Sequence, residues 1–181
     1  MTLRITHGDD AGITLVELIV YIFASGLFLG LLALLFINGL TIQEQTTVRD
    51  RATGSINVVS ASLQSSIRNA TDIAVASSGW RIDAVVMTPS GAFECRAWVL
   101  DSGGALRYSA GLDARDANPS AWRALVEGAA GSLPGGAAFA ADGARGIEVG
   151  ISVSVGDATV RMTNGVTAQA VVAAGGAPAC W

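Results

Sequence analysis

The sequence contains no lysine and a single histidine, His7, which lies close to the N-terminus. Histidine is the commonest general base in enzymes and a member of the serine and cysteine catalytic triads. The sequence also has no Walker A motif, no G-x-G-x-x-G and no G-x-S-x-G pattern. These absences remove the common nucleotide-binding and triad-hydrolase patterns, and we do not expect an enzyme.

Basic side chains are few and dispersed. All 11 of them are arginines, against 15 acidic residues, which gives a net charge of −4. Binding nucleic acid through its phosphates needs a basic face, so we do not expect nucleic acid as a partner. Two cysteines are too few for a structural zinc site, and we expect no metal and no cofactor.

Two sets of acidic residues remain as candidates for chemistry. Asp113 and Asp116 lie in turn-like sequence, where solvation and local capping are the expected roles. Asp142, Glu148 and Asp157 have no EF-hand spacing, so the fold would have to bring them together before they held calcium. Neither set predicts a catalytic carboxylate pair.

Residues 13–40 form an apolar run whose one charged side chain is Glu17. As a helix, the run is roughly 40 Å long, against about 30 Å of hydrocarbon in a bilayer. It is about twice as long as the apolar region of a secretory signal peptide, and Thr41–Glu44 has no small-residue cleavage pattern. The run therefore predicts a transmembrane helix.

Two residues of this region are not explained by a simple membrane anchor. Glu17 is the fifth residue of the run, and a carboxylate near the middle of a bilayer costs roughly 2.5–3.5 kcal/mol. Ionisable groups in such places normally have a partner. Gly12 lies at the boundary between the polar N-terminus and the apolar run. An uncleaved single-pass anchor stays an alternative, but it accounts for neither residue.

Residues 12–18, Gly-Ile-Thr-Leu-Val-Glu-Leu, resemble the processing motif of type IV prepilins. That motif combines a glycine at the polar boundary, an apolar first residue, Thr-Leu-Val/Ile-Glu-Leu and a long apolar helix. All four elements are present, and the resemblance covers about 30 residues. It implies that residues 1–12 are a leader, which a membrane-embedded prepilin peptidase removes.

The resemblance also implies roles for individual residues. Gly12 would be the last leader residue, and Ile13 the new, N-methylated terminus of a chain of 181 − 12 = 169 residues. The Glu17 carboxylate would pair with the Ile13 amine of a neighbouring subunit. Gly26 would be a position where the helix loosens during assembly. Without its leader the chain has no histidine, and its charge is 10 − 13 = −3.

The function that the resemblance implies is structural. We expect a minor pilin or pseudopilin of a type IV pilus or a type II secretion-like filament. Its partners would be the prepilin peptidase, other pilin or pseudopilin subunits, the pilus assembly platform and the lipid bilayer. It would reside in the cytoplasmic membrane as a single-pass protein with an extracytoplasmic C-terminal domain, and in a surface filament after assembly. A membrane-anchored binding or sensory protein and a DNA-uptake pseudopilin are the alternatives.

The helix is predicted to continue beyond the membrane. In residues 41–76, apolar positions recur at helical spacing from Val48 to Ile73, with polar residues between them. Residues 77–181 have strand-like runs and turn signals, which predict a β-rich globular domain. The fold class is therefore α+β: a long N-terminal helix, half transmembrane and half amphipathic, packed on a C-terminal antiparallel sheet in a pilin-like arrangement.

Several strands and turns are predicted within residues 77–181. A turn at residues 101–104 joins two of the strands into a hairpin, and Asp157 and Asn164-Gly165 mark later turns. Residues 119–127 could form a short helix, and residues 128–136 are loop-like. The predicted strands are residues 80–88, 92–100, 105–109, 147–155, 158–163 and 166–172.

Cys95 and Cys180 both follow the apolar run. If that side of the membrane is extracytoplasmic, the compartment permits a disulfide between them. Two reduced, buried thiols are the alternative. A disulfide would close a loop of about 85 residues and stabilise the fold by about 4 kcal/mol in the chain-entropy model.

Overall fold

The structure is a computed structural model that describes residues 14–171 and 180–181. Gly12 and Ile13 lie outside the described residues. The chain divides into two compact units, Met1–Glu44 and Gln45–Trp181. The described residues form one long helix and two antiparallel sheets joined by turns and loops, which confirms the predicted α+β class.

Helix α1 spans Leu15–Arg68 without interruption. Its apolar side chains are exposed up to Ile42, and beyond that point a single buried stripe replaces them. The steps of this stripe are 4, 3, 4 and 4 residues, which keep its members on one face of a helix. The predicted amphipathic continuation is therefore confirmed, and its buried apolar residues are Ala52, Ile56, Val59, Leu63 and Ile67.

The helix ends earlier than the periodicity predicts. α1 stops at Arg68, and Ala70–Val75 form strand β1 instead of a further turn of helix. The Asn69 side chain donates a hydrogen bond to the Ser65 carbonyl (2.9 Å), which satisfies one of the free carbonyls at the helix end. Beyond Asn69, pairing with a neighbouring strand supplies the backbone bonds, and this tertiary contact overrides the helical spacing.

The first sheet is an antiparallel meander with the strand order β1-β2-β3-β4-β5. The turn at residues 101–104 joins β3 to β4, as the sequence predicts. Asn118 caps a short 3-10 turn, Pro119–Ala121, so the predicted helix over residues 119–127 is wrong beyond its first turn. Strands β2 to β5 are Arg81–Met87, Phe93–Leu100, Leu106–Gly111 and Arg123–Val126.

The second sheet is built around β8. This strand pairs with β9 along one edge, and with β6 and β7 along the other. Between β6 and β7 the chain leaves the sheet through Pro134–Gly136, where Gly135 and Gly136 adopt positive φ angles of 72° and 77° that favour glycine. Strands β6 to β9 are Ala129–Gly131, Phe139–Asp142, Gly146–Val155 and Ala158–Thr167.

Two sequence predictions are wrong in this sheet. Residues 128–136 are not all loop, because they include β6. Asn164-Gly165 is not a turn, because β9 passes through it and stays in register with β8. The Asn-Gly signal is overridden here since ladder pairing on both sides of it fixes an extended backbone.

The hydrophobic core of the Gln45–Trp181 unit lies where the buried stripe of α1 meets inward-facing residues of both sheets. Trp98 is completely buried and packs beside Tyr108, with ring centroids 5.1 Å apart. Burial raises the pKa of the Tyr108 hydroxyl. Trp98 is therefore a core residue.

The other face of the first sheet is covered by two separate segments. Trp122, at the end of the loop after β4, packs on Ala97 and Val99. Cys180 packs on Val85 and Cys95. These two contacts bury the outward face of β2 and β3, which would otherwise be an exposed apolar surface.

Candidate functional site

The N-terminal end of α1 is capped by Thr14. Its backbone carbonyl accepts the Leu18 N–H (3.1 Å), and its hydroxyl oxygen accepts the Glu17 N–H (3.3 Å). This is the geometry of an N-cap residue followed by a glutamate at the third helical position. The helix therefore begins at Leu15, three residues after the predicted cleavage site at Gly12.

Glu17 has one hydrogen-bond donor from its own helix. The Tyr21 hydroxyl donates to its carboxylate across 3.4 Å, one helical turn further along. A donor at this spacing reduces the cost of placing the carboxylate in an apolar surround. The sequence motif does not include Tyr21, although its spacing of four residues from Glu17 predicts that the two side chains meet on one face of the helix.

The part of α1 from Leu15 to Ile42 has an exposed apolar surface. Its large apolar side chains from Leu15 to Ile42 are all at least 45% exposed. An 18-residue window of the helix has a mean hydropathy of 2.6 and no burial. By length and composition the helix can cross a membrane, which agrees with the predicted membrane location at that coarser level.

Gly26 lies inside the continuous helix. A Cβ atom placed on it would meet nothing within 4 Å, so packing among the described residues does not require a glycine there. Glycine in a helix interior costs roughly 0.5–1 kcal/mol relative to alanine. The role in helix loosening stays a prediction.

Cys95 and Cys180 form a disulfide, which confirms the predicted pair. Their Cα atoms are 5.4 Å apart, and both residues are buried beside Val85 and Phe93. Cys95 lies on β3, so the bond fixes the C-terminal end of the chain to the first sheet. The alternative of two reduced thiols is wrong.

The acidic residues do not assemble a metal site. Asp142 and Glu148 line one shallow groove of about 370 Å³ together with Thr163, Asn164 and Gly165. Asp157 is not among its lining residues, because it lies in the turn between β8 and β9. Within residues 14–171 and 180–181, no group of three potential ligands is placed to hold a metal ion.

A larger cleft of about 420 Å³ also lacks catalytic chemistry. It lies between the turn after β1 and strand β7, and small residues and backbone form most of its walls. The polar side chains among its lining residues are Ser77 and Ser78, and no titratable side chain lines it. General acid–base chemistry needs a positioned titratable group, so this cleft does not indicate an active site.

In the Gln45–Trp181 unit, the ion pair between Asp101 and Arg107 stabilises a turn. Arg107 donates to the Asp101 carboxylate at 2.6 Å, and the backbone N–H groups of Gly103 and Ala105 donate to its other oxygen at 2.9 Å. The Arg107 hydrogen bond first, and then the Ala105 N–H, lower the pKa of Asp101 below its ordinary value of 3.8. These bonds close the turn between β3 and β4.

We expect Asp101→Asn to lower the free energy of unfolding by about 1 kcal/mol at pH 7, since it removes a partly exposed charged hydrogen bond. The pKa of Asp101 is lower in the folded chain than in the unfolded chain, so its contribution is complete above the unfolded value. It is lost as the pH falls through the folded value.

Chemical denaturation of both proteins between pH 7 and pH 2 checks this expectation. The difference in stability should shrink once the pH falls below about 4. Asp113→Asn, which changes an exposed acid in the loop after β4, is the matched control and should cause little change. A difference that stays constant down to pH 2 would contradict the charge-based explanation.

Comparison of the chain with protein-family models, with curated proteins and with solved structures finds no match.

Proposed function

We propose that the protein is a structural subunit, of the minor pilin or pseudopilin kind, of a type IV pilus or a type II secretion-like filament. The observation that carries the proposal is the start of α1. A capped helix begins at Leu15, three residues after Gly12, and presents an exposed apolar surface with one carboxylate, Glu17. A membrane anchor alone requires only the apolar surface.

Glu17 supports assembly because its carboxylate needs a positive partner. In an apolar surround, a lone carboxylate and a lone ammonium are each costly, whereas a hydrogen-bonded pair of the two is far less so. Cleavage after Gly12 creates such an ammonium on Ile13. The charge on one subunit then selects a neighbouring subunit, which links processing to incorporation into a filament.

The Gln45–Trp181 unit supports an extracytoplasmic location. A disulfide persists in oxidising compartments and is rare in the cytosol, and Cys95–Cys180 lies on the C-terminal side of the apolar helix. The partners that follow are a prepilin peptidase, other filament subunits, the assembly platform and the lipid bilayer of the cytoplasmic membrane. The protein has no catalytic role in this proposal.

Co-expression with a prepilin peptidase tests the processing step. We expect one cleavage, after Gly12, and a mature chain that begins at Ile13. Mass spectrometry of the N-terminal peptide gives the site directly, and the added mass of one methyl group reports N-methylation. A Gly12→Val variant should keep the leader, while Gly8→Val, a change outside the motif, should be cleaved normally.

Retention of the leader by the unaltered chain would favour the alternative, a single-pass anchored binding or sensory protein. Cleavage at another bond would also remove the basis for the assigned roles of Ile13 and Glu17. Both results are visible in the same spectrum.

Glu17→Ala tests assembly separately from processing. We expect cleavage after Gly12 to remain, and incorporation into sheared filaments to fall at least tenfold, because the Ile13 ammonium loses its carboxylate partner. Glu17→Asp keeps the charge on a shorter side chain and should retain part of the incorporation. Normal incorporation of the alanine variant, measured by immunoblot of the filament fraction, would refute the charge pair.

A further inference from the structure

Strand β9 has a regular free edge. It pairs with β8 over its whole length, from Gly146↔Thr167 to Val155↔Ala158, without a register shift. In an antiparallel pair, alternate residues direct their N–H and C=O groups away from the partner. The Ala168 N–H donates to the Arg145 carbonyl (2.8 Å), so the even-numbered residues bond β8 and the odd-numbered residues direct their backbone N–H and C=O groups away from it. They are Thr159, Arg161, Thr163, Gly165 and Thr167, here called the β9 edge.

The backbone groups of the β9 edge have no protein partner among the described residues. All five residues are exposed, and the hydrogen bonds of residues 14–171 and 180–181 include none to their N–H or C=O groups. Such a row of unpaired donors and acceptors is a template for a further strand. The regular register means that a partner strand meets no bulge along the edge.

The other strand edges carry the protections that natural sheets use. On β1, the Asp72 carboxylate accepts the Ile73 N–H (2.9 Å), and the register with β2 shifts at the start of the strand. The four residues of β5 pair with β4 through another shift. Beside β6 and β7, the Gly104 and Gly79 carbonyls accept backbone N–H groups from Ala129 and Phe139. The β9 edge has no register shift, no side chain bonded to its own backbone and no loop carbonyl paired to it among the described residues, and its one charged side chain is Arg161.

The side chains of β9 define the chemistry of a complementary strand. Arg161 is exposed and has no ion pair within the described chain. On the opposite face, Val160 and Met162 are half-buried against the core. A complementary strand therefore places a carboxylate opposite Arg161 and apolar residues beside Val160 and Met162.

A second copy of β9 does not meet this requirement. The strand contains no aspartate or glutamate, so β9 paired with β9 leaves Arg161 without a carboxylate in every register. We propose that the β9 edge binds, by antiparallel strand addition, an extended segment of another protein that alternates apolar and polar residues and carries a carboxylate opposite Arg161. This interaction is independent of the processing step and of Glu17.

A defined peptide tests the proposal on the full chain in detergent micelles. The probe is Thr-Val-Thr-Val-Glu-Val-Thr. In the antiparallel register that places its glutamate opposite Arg161, the central valine lies opposite Met162 and the next valine lies opposite Val160. The control peptide replaces the glutamate with lysine. Fluorescence anisotropy should show the glutamate peptide binding about fivefold more tightly, and Arg161→Glu should reverse the preference.

Thr163→Pro tests the backbone contribution. Proline at an outward-pointing position removes the Thr163 N–H from the edge and leaves the bonds between β8 and β9 in place. We expect peptide binding to fall about tenfold or more, whereas Thr163→Val should keep it. Unchanged formation of the Cys95–Cys180 disulfide and an unchanged thermal midpoint show that each variant is folded.

Three results would overturn the proposal. They are peptide binding that Thr163→Pro leaves unchanged in a folded protein, equal binding of the two peptides that Arg161→Glu does not alter, and no binding of either peptide. Sedimentation of the unaltered chain tests whether a second copy of the chain binds the β9 edge instead. Self-association that Thr163→Pro abolishes would assign the β9 edge to a second copy of the chain and refute a carboxylate-bearing partner.

Discussion

Replacing Arg81 with alanine should lower the free energy of unfolding by about 3 kcal/mol. The guanidinium donates two hydrogen bonds of 2.7 Å to Asp83, which is only 6% exposed. It also donates to the carbonyls of Asp116 (2.9 Å) and Arg115 (3.0 Å), and its carbon lies 5.2 Å from the centre of the Trp122 ring. Alanine therefore leaves a buried carboxylate without a cation and releases the loop after β4.

Guanidinium chloride denaturation of the full chain in micelles, followed by tryptophan fluorescence, measures this loss. The matched control is Arg161→Ala, an arginine that is exposed and unpaired in the described chain, and it should change stability by no more than about 0.5 kcal/mol. Arg81→Lys keeps the charge but loses the bidentate geometry, so we expect an intermediate loss.

A double-mutant cycle separates the ion pair from the loop contacts. If the buried Asp83 carboxylate causes most of the loss, Asp83→Ala should recover part of the stability of the Arg81→Ala chain. If the two changes simply add, the energy comes from the carbonyl and Trp122 contacts instead. A loss below about 0.5 kcal/mol for Arg81→Ala would contradict both accounts.

The sequence predicted those elements whose signals are local. The apolar run and the 3–4 spacing from Ala52 to Ile67 identified α1, since both depend on the helical period alone. The turn at residues 101–104 identified the β3–β4 hairpin because Asp and Gly in that order close a tight turn. Strand β8 was found from its alternating pattern.

The elements that the sequence misplaced depend on partners distant in the chain. Residues 70–75 continue the helical spacing, but β2 supplies ladder bonds that favour a strand. Strand β5 lies beside β4 after a long loop, and no local signal gives that pairing. Asn164-Gly165 has the chemistry of a turn, but the unbroken register with β8 holds it extended. Such contacts are set by tertiary packing rather than by propensity.

The candidate site was predictable in part for the same reason. Thr14 and Glu17 belong to a short motif with fixed spacing, so their relation follows from the sequence. The Arg81–Asp83 cluster does not, because the Arg115 carbonyl and the Trp122 ring reach it only after the loop folds back over the first sheet. The β9 edge likewise exists only once the strand order of the second sheet is known.

Removing the disulfide should have the largest effect on stability. We expect Cys95→Ala/Cys180→Ala to lower the free energy of unfolding by about 4 kcal/mol, because the bond links residues 85 apart in sequence and restricts the unfolded chain. Both cysteines are buried beside Val85 and Phe93, so the two alanines also leave a small cavity in this cluster.

Reduction of the unaltered chain separates the effect of the covalent bond from the effect of side-chain packing. Reduction of the unaltered chain by dithiothreitol keeps both sulfur atoms and removes only the covalent link, so it should reproduce most of the loss seen in the alanine variant. If reduction has little effect while the alanine variant is strongly destabilised, packing around Cys95 and Cys180 is the cause.

If the disulfide acts through chain entropy, stability should fall without a change in the secondary structure of the folded protein. Circular dichroism before denaturation measures this. Trp181 is exposed in the disulfide-bonded structure, whereas Cys180 is buried and bonded to Cys95 on β3. Carboxypeptidase should therefore remove Trp181 from both forms and trim past Cys180 only in the reduced protein.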